Sequence, residues 1–220
     1  MKAPNRRTHL CALVTAVLLI FLPASGGGQA IEELYTRDKP IPKGYKSWTV
    51  FLVCSPEWLL PQNKDRLTDL YYQFRAFGRN IGAEHAAVWF WIRPPRWATD
   101  AVIDNVDVER SVTYCQRFKL PPSGGPYVFG TTTYPDAASE TTPNFTLALN
   151  GRPPAEITKV LSAFADELVI QGVPKTPADT EVFWRSLQAS FEALQGKLGA
   201  FLARVTLSIN TPWFKAEIKG

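Results

Sequence analysis

The alternation of apolar and polar positions changes period several times along the chain, and each change marks an element. Trp48 to Val53 is an unbroken apolar and β-branched run, as expected of a strand buried on both faces of a helix-covered sheet. From Asn63 the period becomes helical. Leu67, Leu70, Tyr71, Phe74 and Phe77 recur at spacings of three and four, Asn63 and Asp65 suit a first turn, and Gly78 or Gly82 can end the helix. HAAVWFWIRPP, from His85, reads as a second buried strand stopped by Pro94 and Pro95, which lack a ladder donor. Alternation puts Trp89 and Trp91 on one face and Phe90 on the other, so packing on both sides explains the aromatic load without a ligand platform. A short helix is expected over 108–118, a third strand in PYVFGTTT and a fourth, antiparallel to it, in NFTLALNG. The next helix runs from Pro154 to Gly172, with Ile157, Val160, Leu161, Phe164 and Leu168 as its stripe.

Residues 31–47 mix charge, proline and glycine without periodicity and read as a lead-in segment. Beyond residue 172, a long helix should start near Thr176-Pro177 or Asp179. Its apolar series, Trp184, Leu187, Phe191, Leu194, Leu198, Phe201 and Val205, steps alternately by three and four, the spacing of a coiled-coil seam. Gly196 and Gly199 weaken such a helix by about 1 kcal/mol each. Docking on the chain's own elements is therefore expected, with homo-oligomerisation through the helix 179–205 as the alternative. VTLSINTPWFKAEIKG alternates on both sides of Asn210-Thr211-Pro212 and reads as a terminal hairpin.

The first thirty residues change the picture of charge and compartment. A basic start (Lys2, Arg6, Arg7), an apolar run from Leu10 to Leu22 and a small-residue stretch ending at Ala30 form the three parts of a secretory signal peptide. The run is about 13 residues, short of the roughly 20 that span a bilayer, so cleavage and export to the periplasm or outside are expected, without a stable membrane span. Removing it takes away three basic residues and no acidic ones, leaving 21 Lys and Arg against 20 Asp and Glu. Without a clustered basic stripe, nucleic acid is excluded as a partner.

Cysteine and histidine counts fall with it. Cys54 and Cys115 remain, an even pair that in an oxidising compartment is most simply a disulfide, the alternative being two buried free thiols. His85 is the only histidine left, too few for a zinc site built from His and Cys, and no metal or cofactor is expected. His85 follows Glu84, but adjacent strand residues point to opposite faces, so the two read as polar groups facing water rather than an acid/base couple. Asp100, Asp104, Asp107 and Glu109 share a loop whose spacing fits no calcium motif and which reads as solvated. Asn144-Phe145-Thr146 is a glycosylation acceptor only in a eukaryotic host.

Strand, helix, strand, short helix, strand, strand, helix is the order of the thioredoxin fold, here spanning 48–172. VDVERSVTYCQRFKLPPSGGPYVFG resembles the segment of protein disulfide isomerase-like domains in which a short helix with a cysteine leads to a strand preceded by a cis-proline, and Pro126 falls at that proline. TLALNGRPPAEITKVL resembles the final strand, glycine turn and last helix. The resemblance implies an α/β thioredoxin-like mixed sheet covered by helices, extended at 173–220 by the long helix and hairpin. It lacks the paired-cysteine redox motif: with the helix start at PQNKDRL, Trp58 and Pro61 stand where the two thiols would be, and Cys54 lies at the strand end. There it faces the helix carrying Cys115, and a bridge closing about 60 positions is worth on the order of 3 to 4 kcal/mol.

The resemblance also implies a polypeptide-binding groove lined by Ser55, Pro56 and Trp58 with Gly125, Pro126 and Tyr127, Trp58 being its exposed anchor. A non-catalytic role follows as the expectation: an exported module that binds a protein or peptide or serves in envelope assembly. The rival register aligns Cys54-Ser55-Pro56-Glu57 with the motif, making the chain a thiol-disulfide oxidoreductase that uses Cys54 alone or the Cys54/Cys115 pair.

Overall fold

The computed structural model describes residues 31–36, 39–81, 84–92, 104–149, 154–171, 177–198, 207–210 and 215–218, and the proposed leader, 1–30, lies outside them. The chain is an α/β protein built on a mixed sheet of order β1-β3-β2-β4-β5-β6-β7. At its centre lie β2 (Ser47–Leu52) and β3 (His85–Trp91), paired in parallel, with every residue of both strands buried. That burial is why both read as continuous apolar runs rather than alternating ones. Strand β4 (Tyr127–Thr131) pairs antiparallel with β2, and β5 (Asn144–Ala148) antiparallel with β4.

Residues 31–36 correct the lead-in reading. They form β1 (Ile31–Thr36), which pairs in parallel along the outer side of β3. Glu32 and Glu33 break the apolar pattern that would announce an inner strand, whereas an edge strand carries charge readily.

Helix α1 (Lys64–Asn80) buries Leu67, Leu70, Phe74 and Phe77. It passes through Gly78 and stops at Asn80, where Ile81 turns to extended backbone at ψ 137°. With α3 (Pro154–Gln171) and α4 (Pro177–Leu198) it covers one sheet face, and Phe51, Trp89, Trp91, Phe145, Phe164 and Trp184 pack between them. The other face holds Val50, Leu52, Phe90 and Phe129 under the short helix α2 (Val108–Arg117), with Phe118 stacked on Phe129 at 3.8 Å between ring centroids. The two tryptophans and Phe90 thus divide between the faces as alternation requires.

Both ends of α2 are closed. Asp107 accepts a hydrogen bond from the Arg110 backbone N–H at 3.1 Å as its N-cap, so this acidic residue is a buried cap rather than part of a solvated loop. At the other end Lys119 sits in the left-handed region (φ 53°), Leu120 N–H donates to Cys115 O at 2.8 Å, and Lys119 N–H donates to Gln116 O at 3.2 Å. That is the Schellman closure, with lysine where glycine is usual. It turns the chain sharply towards Pro121 and the 124–126 loop.

In α4, Trp184 and Leu187 are wholly buried in the chain's own core and the helix packs on α3, so the seam considered for self-association faces inward at those two positions; Phe201 and Val205 lie outside the described residues. Strand β6 (Leu207–Asn210) extends the sheet from β5, and β7 (Lys215–Ile218) pairs antiparallel with β6. The registers align Phe145 with Ile209 and Ile209 with Ala216. Among the described residues no helix is long and apolar enough to cross a membrane.

Gly130 in β4 faces the Phe145 ring so closely that a Cβ would overlap it. Gly130→Ala should lower stability by about 1 to 3 kcal/mol through overpacking, read as a lower urea midpoint at unchanged m-value.

Candidate functional site

Strand β2 ends at Leu52, and two residues later Cys54 is joined to Cys115 of α2, with sulfurs 1.98 Å and Cα atoms 5.7 Å apart. The two cysteines are 3% and 2% exposed, so neither sulfur is open to an incoming thiol. Beyond Cys54 the chain does not enter α1 directly. Ser55 accepts a hydrogen bond from the Glu57 N–H at 3.3 Å and opens one 3-10 turn (Pro56–Leu59), Pro61 opens a second (Pro61–Asn63), and α1 starts at Lys64. No cysteine lies at the first turn of α1, where unpaired N–H groups would stabilise a thiolate.

Facing Cys54 is the loop that carries Pro126, whose bond to Gly125 is cis. Its first glycine is required by crowding, and its second has little room to spare. A Cβ on Gly124 would fall on Tyr127 Oη, and one on Gly125 would lie 3.2 Å from the Tyr127 ring and 3.6 Å from Cys54 Cβ. Tyr127 Oη donates to Pro121 O at 2.7 Å, and Leu149 N–H donates to Pro126 O at 2.8 Å, tying the loop to both its start and the end of β5. Burial raises the Tyr127 phenol above its ordinary pKa, keeping it a donor.

The six residues assigned to a groove do not form one open surface. Pro56 is exposed and Ser55 half-buried, but Gly125, Pro126 and Tyr127 are buried. Trp58, expected as an exposed anchor, is 9% exposed. Its ring turns into the core beneath α1, covered by the Arg66 guanidinium 5.1 Å from its centroid. What Trp58 and Pro126 share is a cavity of about 50 Å³, walled also by Leu70, Leu149 and Ile157 and rimmed by Arg66, Asp69 and Gln73. Each wall comes from a different element, so no local pattern announces it. Gln73, hydrogen-bonded to Thr158, also lines a second cavity of about 160 Å³ between α1 and α3, floored by Phe77 and Leu161.

His85 is corrected most strongly. It is 1% exposed, not a surface group: Ser47 Oγ lies 2.7 Å from Nδ1, Thr49 Oγ1 lies 2.8 Å from Nε2, and the rings of Phe77 and Phe164 pack beside it. Glu84 instead pairs with Lys46 on the surface. Burial lowers the His85 pKa from 6.5 to about 3, so the ring is neutral, one nitrogen donating and the other accepting. Asn144 is buried in β5 and donates to Thr142 O at 2.6 Å, leaving no room for a glycan. Asp100 lies outside the described residues, and among those described no group of three His, Cys, Asp or Glu side chains could hold a metal ion.

Family models, curated proteins and solved structures were compared with the chain, and none matches.

Two outcomes follow from this geometry. Reducing the disulfide, or replacing both cysteines with serine, should lower the unfolding free energy by about 3 to 4 kcal/mol in urea titrations, because the unfolded chain regains the entropy of a loop 61 residues long. His85 has a folded pKa below its unfolded value, so its contribution is complete above pH 6.5 and declines as pH falls from there towards about 3. Urea titrations at pH 7, 5.5 and 4 should show that decline, and His85→Asn, which keeps a neutral donor and acceptor, should flatten it.

Proposed function

We propose that this chain is an exported, thioredoxin-like binding protein with a C-terminal helix-and-hairpin extension, that it performs no thiol chemistry, and that it holds extended polypeptide at the cavity between Trp58 and Pro126. The observation that carries the reading is this conjunction: the described cysteines are joined in a bond shielded from solvent, while the two residues that flank that bond's loops, Trp58 and Pro126, open onto an apolar hole with charged groups at its rim. The order of elements and the cis bond at Pro126 support the thioredoxin-like assignment.

Apolar walls with a few polar groups at the mouth are what a side-chain-binding pocket requires. A thiol-disulfide oxidoreductase requires instead an accessible low-pKa thiolate, and burial of both sulfurs opposes it.

The test has two arms. Dithiol-dependent reduction of insulin should be blank, and Cys54→Ser should leave it blank; turnover lost with Cys54→Ser would replace this reading with the oxidoreductase one. A permanently unfolded, carboxymethylated polypeptide should bind the purified chain, and Ile157→Phe, which fills the cavity from its α3 wall, should weaken binding about tenfold while the far-ultraviolet circular dichroism is unchanged.

A further inference from the structure

Resting on that peptide-binding reading, we infer that the cavity selects the C-terminal residue of its peptide, an aliphatic side chain filling the hole while the terminal carboxylate sits on Arg66. Size comes first. A cavity of about 150 Å³ takes the six carbons of a benzene ring, about 25 Å³ each, so one of about 50 Å³ takes about two carbons. The paired methyl groups at the end of a leucine side chain fit, and the nine ring atoms of an indole do not.

Charge decides the rest. The cavity's charged lining is one cation and one anion, Arg66 and Asp69, both exposed and one helical turn apart on α1. Stacking on Trp58 holds the Arg66 guanidinium beside the mouth, and among the described residues Arg66 forms no ion pair. A guanidinium stays charged and presents a planar fork of N–H donors that matches a carboxylate with two parallel hydrogen bonds.

An apolar hole, a carboxylate receptor in Arg66 and a hydrogen-bond acceptor in the Asp69 carboxylate border one small cavity and correspond to the three groups on the α-carbon of a C-terminal residue: side chain, carboxylate and amide N–H. An internal acidic residue matches less well. Its Cα stands about 3.8 Å from that of the apolar residue, and its carboxylate further still. Asp69 beside Arg66 also disfavours a ligand carrying several negative charges, through like-charge repulsion.

The inference is tested with the purified full-length chain and fluorescein-labelled Ala-Ala-Ala-Leu, blocked by the label at its N-terminus, with its C-terminus either free or amidated. Fluorescence anisotropy should show the free acid binding about tenfold more tightly than the amide, and Arg66→Gln should reduce the acid to the amide's affinity while leaving the amide unchanged. Replacing the last leucine with tryptophan should abolish binding of the acid. Equal affinities of acid and amide for the unaltered chain would overturn the inference and leave peptide binding standing, as would failure of both tetrapeptides while the unfolded polypeptide still binds. Displacement of the acid peptide by an equal concentration of free leucine would overturn it in favour of a free amino acid. Failure of the tetrapeptides and the unfolded polypeptide together removes both readings.

Discussion

Strands β2 and β3 lie side by side in parallel with none of their residues exposed, and most other features of the molecule answer to that pairing. Two fully covered strands need a layer on each face, which α1, α3 and α4 provide on one side and α2 on the other. They also bury their polar positions. Ser47, Thr49 and His85 lie on these two strands, where either hydroxyl alone would be an unsatisfied group costing about 1 to 3 kcal/mol. The imidazole satisfies both, and both hydroxyls satisfy the imidazole. Among the described residues a charged group in this place would have no counterion, with the rings of Phe77 and Phe164 packed beside it.

The candidate site grows out of the end of the same pair. Where β2 stops, Cys54 ties it to α2, and the closure of α2 at Lys119 sends the chain back so that Gly125 approaches Cys54 and Pro126 approaches β5. Trp58 follows Cys54 closely enough to be carried under α1 by the same turn. Strand end, disulfide, Schellman closure and cis-proline loop therefore act as one unit that sets the distance between Trp58 and Pro126, and with it the size of the cavity.

Much of the α/β framework is legible in the sequence because neighbouring elements differ in period. The runs at Trp48 and His85, the three-and-four spacing through Leu67 and Phe77, and the stripe at Ile157 and Phe164 all stand within a residue or two of the observed elements. What is not legible depends on partners distant in the chain. Strand β1 looks polar because an edge position tolerates Glu32 and Glu33. His85 looks like a surface group because the hydroxyls that permit its burial come from another strand, 36 and 38 residues away. Trp58 looks like an anchor because nothing local reveals that α1 closes over it and that Arg66 covers its face. Asp107 was readable, since Asp-Val-Glu-Arg ahead of an amphipathic stretch is a capping signal, but its acidic neighbours suggested a solvated loop instead.

The Gly124-Gly125-Pro126 loop leaves no space for a methyl group on its first glycine, which the tyrosine hydroxyl closes, and only a tight one on the second, between the same ring and the first carbon of a cysteine side chain. Mutational drift in this part of the molecule is therefore confined. Any lineage that enlarged residue 124 would have to move or shrink Tyr127 in the same step, so these two positions are expected to change together or not at all.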